Sequence, residues 1–215
     1  MDKGFCIVNN KGLFITFEGL DGSGKTLMTS MLAARLKSEG YDVLETREPG
    51  GSPLGTRLRK VLLSSAAGSV VDEAEALLFA ADRAQHCRQI IAPALSAGRI
   101  VVCDRFSEST LAYQGGGRGL DMEMLRALNQ FTTGGLTPDC TFYLRLPLAE
   151  TLKRRSTSMD RLEQAGLEFF QRAEAVYEQI AQSGQANFCV IDASANPEKV
   201  FAAIWAKVQQ LLRQQ

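Results

Sequence analysis

The chain has 215 residues, 45% hydrophobic and 22% charged, a size and composition suited to one large globular domain with a buried core. Lysine plus arginine and aspartate plus glutamate each total 24, so the net charge of zero excludes the broad basic field of a nucleic-acid binder and leaves small anions to local arginines. Five scattered cysteines without a C-x-x-C pair, one histidine (His86), no apolar run of ~18 residues and no signal-peptide pattern predict reduced thiols, no zinc site, no membrane span and a cytoplasmic protein.

Residues 1–11 read as an N-terminal tail or an extra edge segment on a single domain spanning 1–215. An apolar run at Leu13–Glu18 predicts the first strand, followed by a helix over Lys25–Ser38 and a strand over Asp42–Thr46. Helical periodicity returns at Leu54–Leu63 and Asp72–Ser96, the latter interrupted near its end by Pro93. Arg99–Asp104 is apolar without alternation, as a central strand covered on both faces should be. A loop over 105–119 precedes a helix at Met122–Phe131, and Thr141–Leu146 is the fourth strand. Helices at Leu148–Arg154 and Leu162–Gln182, a strand at Phe188–Ile191 and a helix from Pro197 to Leu212, with Trp205 on its packed face, complete the pattern. Strands alternating with helices predict an α/β fold, a five-stranded parallel sheet with helices on both faces. Ligands of such a sheet bind beyond the carboxyl ends of its strands.

Three segments fall at those ends. Gly19-Leu20-Asp21-Gly22-Ser23-Gly24-Lys25-Thr26 fills G-x-x-x-x-G-K-[ST] between strand and helix, a phosphate-binding loop. Its glycines let successive N–H groups converge on anionic oxygens, Lys25 reaches β- and γ-phosphates, and the Thr26 hydroxyl suits Mg²⁺. The second segment, Thr46-Arg47-Glu48-Pro49-Gly50-Gly51, reads equally as an ordinary turn or as a charged site. The third opens with Asp104-Arg105-Phe106, where Asp104 can approach the metal through its waters and the Arg105 fork suits two phosphate oxygens. It continues through Ser109, Thr110, Tyr113, Gln114 and Gly115-Gly116-Gly117, whose hydroxyls, amide and glycines suit hydrogen bonding and close backbone approach to a heterocyclic base.

Phe79 and Arg83, four apart on one helix face, read first as a core ring and a solvated charge, and second as half of a nucleotide site. Lys153, Arg154, Arg155 and Arg161 form a basic stretch that is either a solvated face or a cover over a phosphoryl-transfer site, a lid at about residues 153–163.

Together these segments resemble the thymidylate kinase family. The resemblance runs from Phe14 almost to the C-terminus through F-E-G-L-D-G-S-G-K-T, T-R-E-P-G-G, L-F-A-A-D-R, D-R-F, A-Y-Q-G-G-G-R-G and D-R-L-E, in the family's order. The second and fifth of these are far more restrictive than a phosphate loop alone. The resemblance implies a P-loop NTPase fold of strand order 2-3-1-4-5 with a small lid, a homodimer, and γ-phosphoryl transfer from Mg²⁺·ATP to dTMP in dTTP synthesis. It implies that Phe79 stacks on thymine, that Arg83, Thr110 and Gln114 contact it, that Tyr113 packs under the deoxyribose, that Arg105 holds the dTMP phosphate, and that Asp21 orients the acceptor. Glu48, Pro49 and Ser109 complete the expected dTMP set; Gly19–Thr26 is the expected ATP loop, with Thr26 and Asp104 at the metal. The loop interior Leu20-Asp21-Gly22-Ser23 lacks the arginine some members carry there, so Arg154 or Arg155 is expected to join Lys25 and Arg105 in catalysis. Two departures stand out: Leu27 where a second hydroxyl is frequent, and Arg145 where an acidic residue is common. The rival functions are a kinase for another small acceptor and a nucleotide-driven switch, the latter lacking any N-K-x-D signature.

Overall fold

The structure is a computed structural model that describes residues 12–64, 70–154, 161–162 and 165–214. The expected tail at 1–11, Arg155 and most of the expected lid lie outside the described residues. The elements run β1 (Phe14–Glu18), α1 (Lys25–Ser38), β2 (Val43–Arg47), α2 (Pro53–Leu63), α3 (Asp72–His86), α4 (Ala92–Ser96) and β3 (Ile100–Asp104). Then follow α5 (Ser107–Thr110), α6 (Met122–Thr133), β4 (Cys140–Arg145), α7 (Leu148–Arg154), α8 (Leu167–Gln182), β5 (Phe188–Asp192) and α9 (Pro197–Leu212).

All strand pairs are parallel and their order is β2-β3-β1-β4-β5, as expected from the resemblance. Each residue of β1 and β3 is buried because helices cover both faces of these central strands. Alternate side chains divide between the faces: Ile15, Phe17, Val102 and Phe142 pack under α1 and α9 through Leu32, Leu36, Ile204 and Val208. On the other face Phe14, Val101 and Phe106 meet Cys87 and Ile91, while Tyr143 meets Phe170 and Tyr177 of α8. The register places Asp104 opposite both Phe17 and Arg47, so β1, β2 and β3 end level and their following loops emerge side by side.

Pro93 does not break the long helix outright. A π-helical turn over Cys87–Ile91 joins α3 to α4, widening the backbone just where a proline cannot donate its N–H and would crowd the carbonyl four residues back. The segment expected as a loop after β3 is also helical: α5 runs directly into a π-helix over Leu111–Gly117. Its glycines serve helix packing. A Cβ on Gly116 would lie 2.6 Å from the Arg172 carbonyl oxygen and one on Gly117 2.4 Å from the Phe169 ring, so only glycine lets α8 approach this closely. Arg172 then donates to the Gly116 and Gly117 carbonyls. Gly115 approaches Met122 and Leu125 of α6, so the three glycines face neighbouring helices rather than a base. Helix α8 begins at Leu167, later than the expected Leu162. Trp205 packs partly buried against the core with the Arg35 guanidinium 4.6 Å from its ring centre. Among the described residues no helix is long and apolar enough to cross a membrane, and Cys87, Cys103, Cys140 and Cys189 are free thiols.

Candidate active site

The phosphate loop leaves β1 at Gly19 and enters α1 through Gly24, whose φ of 95° serves as a left-handed N-cap. Among the described residues no side chain caps that helix start, and no acidic residue lies in its first turn, so the α1 amides and the positive dipole end face the cavity. Lys25 Nζ donates to the Leu20 carbonyl oxygen at 2.8 Å, leaving two of its three hydrogens for an anion. Burial and the nearby Arg105 guanidinium bring the Lys25 pKa down to about 8, against the pull of Asp21, Asp104 and Glu18.

Thr26 Oγ1 donates to Asp104 Oδ2 at 2.6 Å, across from α1 to the end of β3. Asp104 Oδ1 is buried with no hydrogen-bond partner among the described residues, an arrangement that costs free energy unless a ligand or cation meets it. Two hard oxygens at the foot of a phosphate site suit Mg²⁺, which takes few protein ligands and keeps several waters.

Arg105 follows Asp104 with a φ of 71°. Its guanidinium donates to the Gly19 carbonyl, Ser109 Oγ, Asp21 Oδ1 and Tyr113 Oη. Burial alone would raise the Asp21 carboxyl, but Arg105 and Lys25 hold it well below the usual carboxylate range, and Tyr113 Oη donates to its other oxygen at 2.9 Å. Behind this group stands Glu18, which accepts from the Phe106 and Ser109 amides, Ser109 Oγ and Tyr177 Oη. Burial pushes the Glu18 carboxyl above its usual range despite Arg105. The apolar run of β1 gives no sign that its last residue anchors the loop after β3.

A cleft opens beside this group. Asp21, Glu48, Pro49, Phe79, Arg83, Arg105, Ser109, Thr110, Tyr113 and Gln114 all line it, together with Arg59, Leu63 and Leu162. Arg83 is not a solvated charge. It is buried, donating to Glu48 Oε2, Thr110 Oγ1, Asn129 Oδ1 and the Phe106 carbonyl, all within 2.8 Å. Phe79 is half-buried in the wall of the cleft rather than part of the core. Glu48 is likewise buried, held by Arg83 and by His86 Nδ1, so the T-R-E-P-G-G turn is pinned from behind; its Glu48–Pro49 bond is cis.

A second cavity is lined by Asp21, Gly22, Gly24, Lys25, Thr26, Arg47, Asp104 and Arg105, and a third by Ser23, Gly24, Leu27, Arg154 and Ala193–Pro197. Asp21, Glu48, Arg59 and Arg105 belong to both the first and the second. Arg154 is exposed on α7, donating to the Ala193 carbonyl at 3.4 Å.

The family model for thymidylate kinase matches residues 17–204 of this sequence. The chain belongs to the thymidylate kinase family. It is 46% identical over 210 residues to thymidylate kinase of Desulfovibrio desulfuricans, covering 94% of this chain and 97% of that one. With thymidylate kinase of Synechococcus sp. it shares 48% over 200 residues, covering 93% and 96%. The crystal structure of thymidylate kinase from Ehrlichia chaffeensis superposes with a TM-score of 0.77 at 33% identity, covering 92% of this chain and 98% of that one. Thymidylate kinases pass the γ-phosphoryl group of ATP to dTMP, and this chain is an ATP-dependent nucleoside monophosphate kinase of that kind.

The two departures from the thymidylate kinase pattern are now placed. Leu27 is exposed at the rim of the phosphate-loop cavities, where Thr26 already supplies the hydroxyl. Arg145 points outward from β4 to α8, its Nε and Nη2 donating to Glu178 Oε1 and Oε2 at 2.8 and 2.6 Å. Tyr143 Oη donates to the same carboxylate. This is a surface staple worth ~1 kcal/mol or less.

Proposed function

We propose that this chain transfers phosphate in line between two substrates that meet at Arg105. The observation that carries this reading is that Asp21 and Arg105 border both the Phe79 cleft and the phosphate-loop cavity. ATP phosphates lie on Gly19–Thr26, with Lys25 on the β- and γ-phosphates. The dTMP phosphate lies against Arg105, its sugar over Tyr113 with Asp21 orienting it, and its base against Phe79, with Arg83, Thr110 and Gln114 at the ring edge. Glu48, Pro49 and Ser109 shape the cleft around it.

A phosphate dianion is already nucleophilic, so the chain's own task is positioning and neutralisation of charge rather than proton abstraction. Thr26 and Asp104 would hold Mg²⁺, which when bound would add charge neutralisation on the phosphates. Arg154, beside the third cavity, and Arg155 are the candidates for the cation that the phosphate loop lacks; residues 153–163 are proposed as the lid of a single catalytic domain. We place the protein in the cytoplasm, acting on small molecules rather than nucleic acid, in keeping with its zero net charge. A homodimer through α3 and α6, which pack together, would cover the exposed Leu77 and Phe131.

Two variants test the division of labour. Lys25→Met should lower kcat by ~100-fold or more with little change in KM for dTMP, and Phe79→Ala should act chiefly on KM for dTMP. The reverse assignment of effects would contradict the reading.

A further inference from the structure

Glu75 lies on α3 four residues before Phe79 and eight before Arg83, so the three share one helix face. Its side chain is fully buried and carries four hydrogen bonds. Oε1 accepts from Gln114 Nε2 at 2.9 Å and from Arg118 Nε at 3.2 Å; Oε2 accepts from Arg118 Nη2 at 2.9 Å and Arg161 Nη2 at 2.7 Å. Burial alone would raise the carboxyl, but Arg118 and Gln114 outweigh it and hold the group below its usual range. Glu75 is therefore an ionised carboxylate, which can only accept.

That fact settles the orientation of Gln114. Its two carboxamide ends differ by one atom, yet only the NH₂ end can face an acceptor without repulsion. The carboxamide oxygen is the end left for the cleft that Gln114 lines. Glu75 also fixes a second wall. Arg161, held by Glu75 and by its Nε on the Leu62 carbonyl, carries Leu162 into the same cleft.

We propose that Glu75 is a positioning residue for base selection: by fixing the Gln114 amide it makes the cleft present an acceptor, which suits a pyrimidine bearing hydrogen on N3 and opposes one with a bare N3 lone pair. Thymine and uracil are of the first kind and neutral cytosine of the second. The inference rests on the reading of this cleft as the dTMP site. It adds a residue that contacts no substrate and acts on base choice through Gln114.

The test is steady-state ADP release with dTMP and with dCMP for wild type, Glu75→Gln, Gln114→Leu and the double variant. A glutamine at 75 can offer either end to Gln114, so the amide is no longer fixed. Glu75→Gln is expected to raise KM for dTMP ~10-fold with kcat within ~3-fold, and to cut the dTMP-to-dCMP ratio of kcat/KM ~10-fold. Gln114→Leu should cut the ratio similarly, and the double variant no further, because both changes act through one amide. Glu75→Asp keeps charge opposite Arg118 and Arg161 but is one methylene short of Gln114; it should lose the ratio while keeping its thermal midpoint, which guards against a folding defect in Glu75→Gln. Loss of kcat on both nucleotides alike with the ratio intact, or multiplicative effects in the double variant, would overturn the proposal. A wild-type enzyme without preference for dTMP over dCMP would overturn the reading of the cleft itself, a different result from a preference that Glu75 does not influence.

Discussion

Arg105 reaches Asp21 from a left-handed backbone: its φ is 71°, and its Nη2 donates to Asp21 Oδ1 at the point where the two substrate cavities join. A non-glycine residue in that region stores ~1–3 kcal/mol of strain, which persists only where surrounding contacts over-determine it. Here the Arg105 amide donates to the Phe17 carbonyl while the guanidinium bonds Gly19, Ser109, Asp21 and Tyr113. The strain aims one guanidinium at the junction of β1, β3 and the phosphate loop.

Replacing Arg105 should therefore separate strain from function. Arg105→Gly and Arg105→Ala both remove the guanidinium and should lower kcat/KM for dTMP by ~100-fold or more. Glycine accepts a positive φ and alanine does not, so the glycine variant should be the more stable by ~1 kcal/mol in urea unfolding. Equal stabilities would show that the backbone relaxes without cost.

Lys25 gives the enzyme a basic limb in its pH profile. Burial and Arg105 lower its pKa to about 8 from the ordinary 10.5, so the free enzyme loses this cation as pH rises through 8. The kcat/KM for ATP should fall by roughly tenfold per unit above that point, because kcat/KM reports groups of the free enzyme. A profile flat to pH 10 would contradict the shift.

Asp82 is a stability liability whose sign follows from its burial beside Glu48. It is fully buried, Oδ1 accepts from the Gly50 amide, and Oδ2 has no partner among the described residues. Burial and the Glu48 carboxylate raise its pKa to about 6 from 3.8, so folding favours the protonated form; the cost of ionisation is full above pH 6, shrinks as pH falls from 6 to 4 and is absent below. Asp82→Asn keeps an acceptor for Gly50 and removes the charge. It should stabilise the protein by ~1 kcal/mol at pH 8 in urea unfolding, after allowance for a buried NH₂, with the gain shrinking as pH falls to 4. A gain that grows toward acid pH would reverse the assignment.

The proposed dimer face can be broken by charge. Leu77 and Phe131 are 60% and 81% exposed on adjacent helices α3 and α6. Leu77→Glu with Phe131→Glu should give a monomer by light scattering where the parent chain gives a dimer. Unchanged mass for the two proteins would remove α3 and α6 from the interface.

What the sequence made legible follows from how tightly each function restricts residue type. A phosphate loop admits few residues at its fixed positions, so Gly19–Thr26 could be placed to the residue, and helix α1 runs from Lys25 to Ser38 as its pattern predicts. Phe79 and Arg83 were ambiguous because an i, i+4 aromatic and cation occur on ordinary helices; only Glu48, Thr110, Asn129 and Phe106, brought from three other segments, make Arg83 a buried hub. The helix over Ser107–Gly117 was invisible because three glycines argue against a helix locally, and the reason for Gly116 and Gly117, the close approach of α8, lies some fifty residues away in the chain. Glu18 and Glu75 carry no local signal at all. Each is one glutamate in an otherwise unremarkable strand or helix, and its partners are set by the tertiary fold.

The most direct test of the account is a coupled ADP-release assay in which dTMP, dUMP, dCMP and thymidine are supplied separately with Mg²⁺·ATP. The account predicts fastest turnover per unit concentration with dTMP, and little with dCMP or with thymidine, which lacks the phosphate that Arg105 is placed to hold. Preference for unphosphorylated thymidine or for dCMP would contradict it.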